Sequence, residues 1–244
     1  MTKAFTEDSL HSGRQIWIFD KEYISEFVYG GIDGAVTTFA VVAGAAGANA
    51  DIIWVLIFGF ANLIADGFSM SVGNYFSVKA ERDNFEKHKK IEYWEIENLR
   101  EKEVEEIREI YEAKGFKGEL LEQVVEVITS NNDVWVDTMM KEELEMTKDQ
   151  KAPVKTAFAT FLSFNVIGII PLLSYVMSAL FDFQGDLFLI SCIATGIALM
   201  IVGYLKSEVT QTSHFKGILE TLLLGGLAAF LAYLAGDVLA AYLL

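Results

Sequence analysis

The sequence of 244 residues is poor in cysteine, proline, histidine and basic residues. Its one cysteine, Cys192, has no partner for an intramolecular disulfide or a CxxC motif, which excludes a disulfide-stabilised fold and a dithiol redox site. The chain has 19 Lys and Arg against 34 Asp and Glu, a formal net charge of -15. This charge repels phosphate-rich partners and attracts cations, so we expect no nucleic acid partner.

The N-terminus lacks the basic start and apolar core of a signal peptide. We predict instead that residues 1–26 form an N-terminal interfacial segment, in which residues 16–19 lie along the membrane surface. The chain also lacks an arrangement of nucleophile, base and oxyanion-hole donors, so we do not expect an enzyme.

Long apolar runs are abundant, and charge is confined to the segments between them. Five runs have about the 20 residues that a bilayer-spanning helix needs, at about residues 27–50, 52–78, 154–181, 187–205 and 217–244. The predicted fold is an all-α integral membrane bundle of five transmembrane helices, with residues 27–78 forming helices 1 and 2 and residues 153–244 forming helices 3–5. All 19 basic residues lie on the side of the N-terminus and of residues 79–152, so the positive-inside rule predicts that this side is cytosolic.

Residues 79–152 form a charged insert between the second and third apolar runs. Residues 79–151 carry 21 acidic and 13 basic residues. The sequences GFKGE and SNND resemble helix ends and predict three helices in this insert. Elsewhere, Pro171 predicts a kink in the third span, and glycines of the first span predict close helix contacts, within one chain or between two copies.

The insert contains two glutamate pairs, each with i, i+3 spacing: Glu92 with Glu95, and Glu103 with Glu106. On a continuous helix the pairs share a face but lie about 16 Å apart, too far for one ion. Either they form two metal sites, or the helix bends or breaks near Asn98 and Arg100. The alternative is that the glutamate pairs bind no metal and belong to a solvated helix face, where they form intrahelical ion pairs with Lys and Arg. We expect more than one ion.

Few polar residues lie inside the apolar runs. Asp33 is in the first span, where a carboxylate is costly unless it faces a cavity, a partner or a proton path. Asn62, Asp66 and Met70 follow at i, i+4 and i+8 in the second span and share one face. A thioether beside oxygen donors favours Fe²⁺ or Mn²⁺ over Mg²⁺.

Several separated motifs, in order, resemble the vacuolar iron transporter family. They are IDGAVTTFAVVAGAAGANA, ADGFSMSVGNYFSVKAE, the ExxE pairs, MMKEEL, GIIPLL and GYLK, and the resemblance runs from Tyr23 onward. It departs at Asn62, where the family has a glutamate; Asp66, one turn along, is the acid that could supply the missing charge.

The resemblance implies a homodimer that exchanges cytosolic Fe²⁺ for protons, with membrane lipid around it. It implies Mn²⁺, Zn²⁺ or Co²⁺ as other bound ions, and no prosthetic group. The implied pathway uses Asp33 and Met70, with Asn62 and Asp66 beside them. The implied ligands in the insert are Glu92, Glu95, Glu103, Glu106, Met139, Met140 and Glu143.

The sequence therefore favours a proton-coupled transporter that exports Fe²⁺, or Mn²⁺, from the cytosol. The membrane would be the cell inner membrane of a prokaryote or the vacuolar membrane of a eukaryote. Two alternatives stay open: a membrane-tethered metal sensor or buffer without transport, and an acidic interaction module that binds no metal.

Overall fold

The computed structural model of the protein describes residues 23–149 and 151–243. The regular structure of this part of the chain is helical, without a strand. The predicted interfacial helix at residues 16–19 lies outside the described residues. The α-helices are α1 (Ile24–Gly47), α2 (Ile52–Asn98), α3 (Arg100–Ala113), α4 (Glu119–Thr129), α5 (Asn132–Glu142), α6 (Pro153–Gly168), α7 (Leu173–Phe181), α8 (Leu187–Thr210) and α9 (His214–Leu243).

Five helical stretches of the described chain are long and apolar enough to cross a bilayer. They are α1, α2, the stretch formed by α6 and α7, α8, and α9, which confirms the predicted number. The second differs from the prediction in length, because α2 continues without interruption to Asn98. No glycine or proline follows Gly73 in this helix, so nothing in its local sequence ends it at the last apolar residue. The apolar part of α2, before Lys79, is the part that can span a bilayer.

The chain divides into two compact units, and α2 contributes to both. The first unit contains the described residues up to Tyr75 and those from Lys151 onward. In it α1 packs against α6, α8 and α9. A methyl group on Gly34 would meet the backbone of Phe164, and one on Gly47 would meet the carbonyl of Tyr233. These glycines therefore serve close helix contacts within one chain.

The predicted interruption at Pro171 is present. Helix α6 ends at Gly168, residues Ile170–Leu172 form a 3-10 turn, and α7 starts at Leu173. Proline cannot donate a backbone hydrogen bond, and its ring disfavours a continuous helix. The Ser191 hydroxyl donates to the Pro171 carbonyl at 2.6 Å, which ties α8 to this turn.

The second unit runs from Phe76 to the end of the charged insert. It has four helical segments instead of the predicted three, because the long helix stops at Asn98 and α3 starts at Arg100. Asn131 caps α5 as predicted, since its side chain accepts from the backbone N–H groups of Asp133 and Val134. The segments enclose an apolar core of Phe85, Ile96, Ile107, Leu121, Val125, Ile128, Trp135, Val136, Met139 and Met140.

Candidate metal centre

Three of the predicted ligands, Glu92, Glu95 and Glu103, converge in the second unit. One carboxylate oxygen from each lies within 4.8 Å of the others. The break between α2 and α3 makes this possible, because Leu99 leaves helical geometry at φ -126° and ψ 30°. Of the two arrangements that the spacing allowed, the structure has the broken helix. The separation of about 16 Å that applied to a continuous helix therefore does not apply.

Two of these glutamates are almost completely buried. Glu92 is 3% exposed and Glu103 is 1% exposed. In each, Oε2 is buried and has no hydrogen-bond partner within the described part of the chain. A buried anionic oxygen without a partner is unfavourable, and a cation that coordinates it removes the cost.

The protonation of the two buried glutamates is shifted accordingly. Burial raises the pKa of Glu92 to about 7, and the surrounding carboxylates, Glu143 first, add to the shift. Burial likewise raises the pKa of Glu103 to about 7, with Glu106 the next largest contribution. The cluster therefore holds protons at a pH where an exposed glutamate holds none.

The other predicted ligands lie around this cluster or in the core. Desolvation raises the pKa of Glu143, and Glu106 and Glu95 raise it further, so these three carboxylates interact. Glu106 is paired with Lys102, whose Nζ lies 2.6 Å from its Oε1. Met139 and Met140 are buried in the apolar core of the same unit.

The predicted pathway residues lie in the first unit, where α1 meets the apolar part of α2. Nδ2 of Asn62 is 3.4 Å from the hydroxyl oxygens of both Thr37 and Thr38. The Thr37 hydroxyl donates to the backbone carbonyl of Asp33 at 2.8 Å, so Asn62 lies one helical turn from Asp33. Met70 packs beside the apolar core of this unit. The structure thus brings Asn62 of α2 to the turn of α1 that follows Asp33, and Asp66 follows Asn62 by one turn of α2.

Comparison with known proteins identifies the family. The model of the VIT family matches residues 24–237, which is most of the chain. This chain belongs to the VIT family. The chain is 35% identical to the vacuolar iron transporter of Toxoplasma gondii over 89% of its own length and 74% of the relative's. It is 36% identical to the vacuolar iron transporter of Plasmodium falciparum over 90% and 83%, and 33% identical to vacuolar iron transporter 1 of Arabidopsis thaliana over 87% and 84%.

Membership of the VIT family confirms the resemblance that the motifs predicted. The named relatives are transporters and not enzymes, and the five apolar helices fit a membrane transporter. The acidic insert of this VIT-family protein contains the one group of three or more His, Cys, Asp or Glu donors found within the described residues.

Two sets of residues at these sites were not predicted from the sequence. Thr37 and Thr38 contact Asn62, and Lys102 pairs with the glutamates. A repeat was also not recognised: the pattern ExxEI occurs at residues 92–96 and again at residues 103–107. The isoleucines of both copies are buried in one apolar core, so the repeat marks the two helix faces that pack together.

Proposed function

We propose that this VIT-family protein captures Fe²⁺ from the cytosol at the glutamate cluster and moves it across the membrane in exchange for protons. The observation that carries the proposal is the pair of buried, unpartnered Oε2 atoms of Glu92 and Glu103 in a group of converging carboxylates. The iron that the relatives' names give as their cargo supports the choice of ion. Mn²⁺ is the second candidate ion, and Zn²⁺ and Co²⁺ suit the same donors less selectively.

In this proposal the cluster is a capture site that exchanges protons for metal. Glu92 and Glu103 are each partly protonated near pH 7, so a divalent ion that enters displaces protons as it gains carboxylate ligands. Glu95 completes the three-glutamate group. Glu106 and Glu143, whose charges interact with those of the group, are proposed as further ligands. Met139 and Met140 are proposed as thioether ligands, which would favour a transition metal over Ca²⁺ or Mg²⁺.

Transport itself is assigned to the contact between α1 and the apolar part of α2. Asp33 is the group that would alternate between metal and proton, with Asp66 as a second acid and Met70 as a soft donor. Asn62 supplies a neutral amide that is fixed between Thr37 and Thr38. The one-sided distribution of basic residues supports a cytosolic insert and hence export from the cytosol. We propose a homodimer as the working unit.

Uptake by proteoliposomes tests the proposal. The purified chain is reconstituted, Fe²⁺ is added under anaerobic conditions with a pH gradient, and internal Fe²⁺ and internal pH are recorded together. The expected result is Fe²⁺ movement coupled to opposite proton movement. Glu103→Gln should reduce uptake at low Fe²⁺, whereas Glu126→Gln, on an exposed part of α4, should not. Absence of Fe²⁺ movement by the wild-type chain would refute the proposal.

The second candidate function is a membrane-tethered metal sensor or buffer. The glutamate cluster supports a sensor or buffer as well as it supports a transporter, since metal binding by the cluster does not require the membrane-spanning helices to transport the ion. The two functions differ at Asp33. Under the transport proposal, Asp33→Asn abolishes Fe²⁺ uptake and leaves Fe²⁺ binding at the cluster intact. Under the sensor hypothesis, the wild-type chain binds Fe²⁺ and moves none.

A further inference from the structure

Lys102 places a positive charge at the glutamate cluster. Its Nζ lies 2.6 Å from Oε1 of Glu106 and 3.9 Å from Oε1 of Glu103. The Lys102 side chain is 63% exposed, whereas Glu103 is almost fully buried. The ammonium group therefore lies at the solvent-exposed side of the cluster, with the buried oxygens on the inner side.

Other basic side chains of the insert pair elsewhere. Lys89 pairs with Asp137, Arg108 with Glu105 and Glu122, and Lys114 with Glu142. Among the ion pairs in the described part of the chain, those made by the cluster's glutamates all involve Lys102. The single positive charge of Lys102 faces several carboxylates, so it neutralises the cluster only in part.

We propose that Lys102 is a tethered counter-cation that a divalent metal ion must displace, and that Lys102 thereby sets the affinity of the cluster and eases release of the ion. This inference rests on the proposed function, since it concerns the same site. An ammonium group on a flexible four-carbon side chain can pair with Glu106 when the cluster has no metal and move into water when an ion arrives. It leaves Oε2 of Glu92 and Oε2 of Glu103 without a partner, so the inner side of the cluster stays available to the ion.

The displacement also explains the position of Glu106. In the structure Glu106 is paired with Lys102 and is outside the group of three converging carboxylates. When Lys102 leaves, the Glu106 carboxylate becomes free to coordinate. The departure of Lys102 thus makes the Glu106 carboxylate available as a ligand. The return of Lys102 to Glu106 would remove that ligand and favour release of the ion.

Three variants of the whole chain in detergent test the inference, by anaerobic titration calorimetry with Fe²⁺ at low salt and at pH 8, above the pKa of Glu103. K102L removes the charge without adding a ligand atom, K102R keeps the charge, and K117L removes an equal charge from an exposed position in the turn before α4. A unit charge that has moved into water about 6 Å from a divalent ion changes the affinity for that ion by about tenfold. We therefore expect K102L to bind Fe²⁺ about tenfold more tightly, and K117L and K102R to stay within about twofold of wild type.

The outcomes separate this inference from the proposed function. If K102L binds Fe²⁺ no more tightly than K117L, or if K102R tightens binding as much as K102L, the role of Lys102 is refuted while capture by the cluster stands. If the wild-type chain binds no Fe²⁺, both fail. A Lys102 that only stabilised the fold would weaken binding when replaced, which is the opposite of the expected gain.

Discussion

Replacing Glu103 with glutamine should stabilise the metal-free protein at alkaline pH and at the same time abolish its response to metal. Glu103 is buried, and its Oε2 has no hydrogen-bond partner in the described chain. Its folded pKa of about 7 lies above the ordinary value of 4.5. Between these two pH values the folded state binds more protons than the unfolded state. The stabilising contribution is therefore complete below about pH 4.5 and is lost as the pH rises through 7.

The expected magnitude follows from the shift. A shift from 4.5 to about 7, at about 1.4 kcal/mol per pKa unit, corresponds to a loss of about 3 kcal/mol of stability above pH 7. Glutamine keeps the shape and carries no charge, so it avoids this loss. Its buried amide still lacks a partner, which costs about 1 kcal/mol. The net expectation for Glu103→Gln without metal is a stabilisation of about 2 kcal/mol at pH 8 and a destabilisation of about 1 kcal/mol at pH 4.5, where the wild-type carboxyl group is protonated.

Fluorescence of Trp135 can report on this unit, because Trp135 is fully buried in the core around the cluster. The measurement uses urea unfolding of the full chain in detergent, with Trp17, Trp54 and Trp94 replaced by phenylalanine. Glu126→Gln on the exposed face of α4 is the control and should change stability equally little at both pH values. Fe²⁺ should stabilise the wild-type chain and not Glu103→Gln, because a ligand stabilises only the state that binds it.

Two results would contradict this account of the cluster. One is that Glu103→Gln and wild type are equally stable at pH 8 without metal, which would mean that the buried carboxylate carries no unfavourable charge. The other is a stability difference of the same size at pH 4.5 and pH 8. That result would mean that the stability difference comes from side-chain packing, since the contribution of packing does not depend on pH.

Four further outcomes are expected. The Fe²⁺ affinity of the wild-type chain should fall as the pH is lowered from 7 to 5, and the fall should approach a hundredfold per pH unit. The reason is that two buried glutamates must each lose a proton before they bind the ion. Calorimetry at several pH values measures this affinity. Asp33→Asn should stop Fe²⁺ uptake into liposomes and leave the calorimetric Kd unchanged. Gly34→Ala should destabilise the bundle by about 1–3 kcal/mol, because its methyl group meets the backbone of Phe164, whereas Gly226→Ala, with open space around it, should not; thermal unfolding in detergent compares the two. Asn131→Ala removes the cap of α5 and should cost about 1 kcal/mol in urea unfolding.

The membrane part of the fold was predictable because its determinants are local. An apolar run of about 20 residues needs no partner to be recognised as a span. The interruption of the third span was predictable from Pro171 itself, since the missing N–H group and the proline ring act within one turn of the helix. The extent of α2 was not predictable in this way, because the change from apolar to charged residues near Lys79 alters the surroundings of the helix without ending it.

The convergence of the glutamates was not predictable from local sequence. Leu99, where the helix breaks, is neither glycine nor proline, and a single-residue break carries no composition signal. The Asn98 amide donates to the Trp94 carbonyl at 2.7 Å, a local bond that competes with regular helix. Asparagine occurs in many unbroken helices, however. The spacing of the glutamates was therefore equally compatible with one site at a broken helix and with two separate sites on a continuous helix.

The physical reason for the break lies in the apolar core. Glu92 stands four residues before Ile96, and Glu103 stands four residues before Ile107, so each glutamate shares a helix face with the isoleucine one turn later. A continuous helix would keep the two isoleucines about 16 Å apart. The break lets both enter one core, where Ile96 is 1% and Ile107 is 0% exposed.

Burial of those isoleucines draws the glutamates inward with them. Each fully buried isoleucine contributes about 1.5–3 kcal/mol, and the core contains further buried apolar side chains. That gain is large enough to offset about 3 kcal/mol for a glutamate with a pKa near 7. The apolar core therefore holds the acids in an unfavourable position before any ion is present, so an arriving ion finds its ligands already assembled.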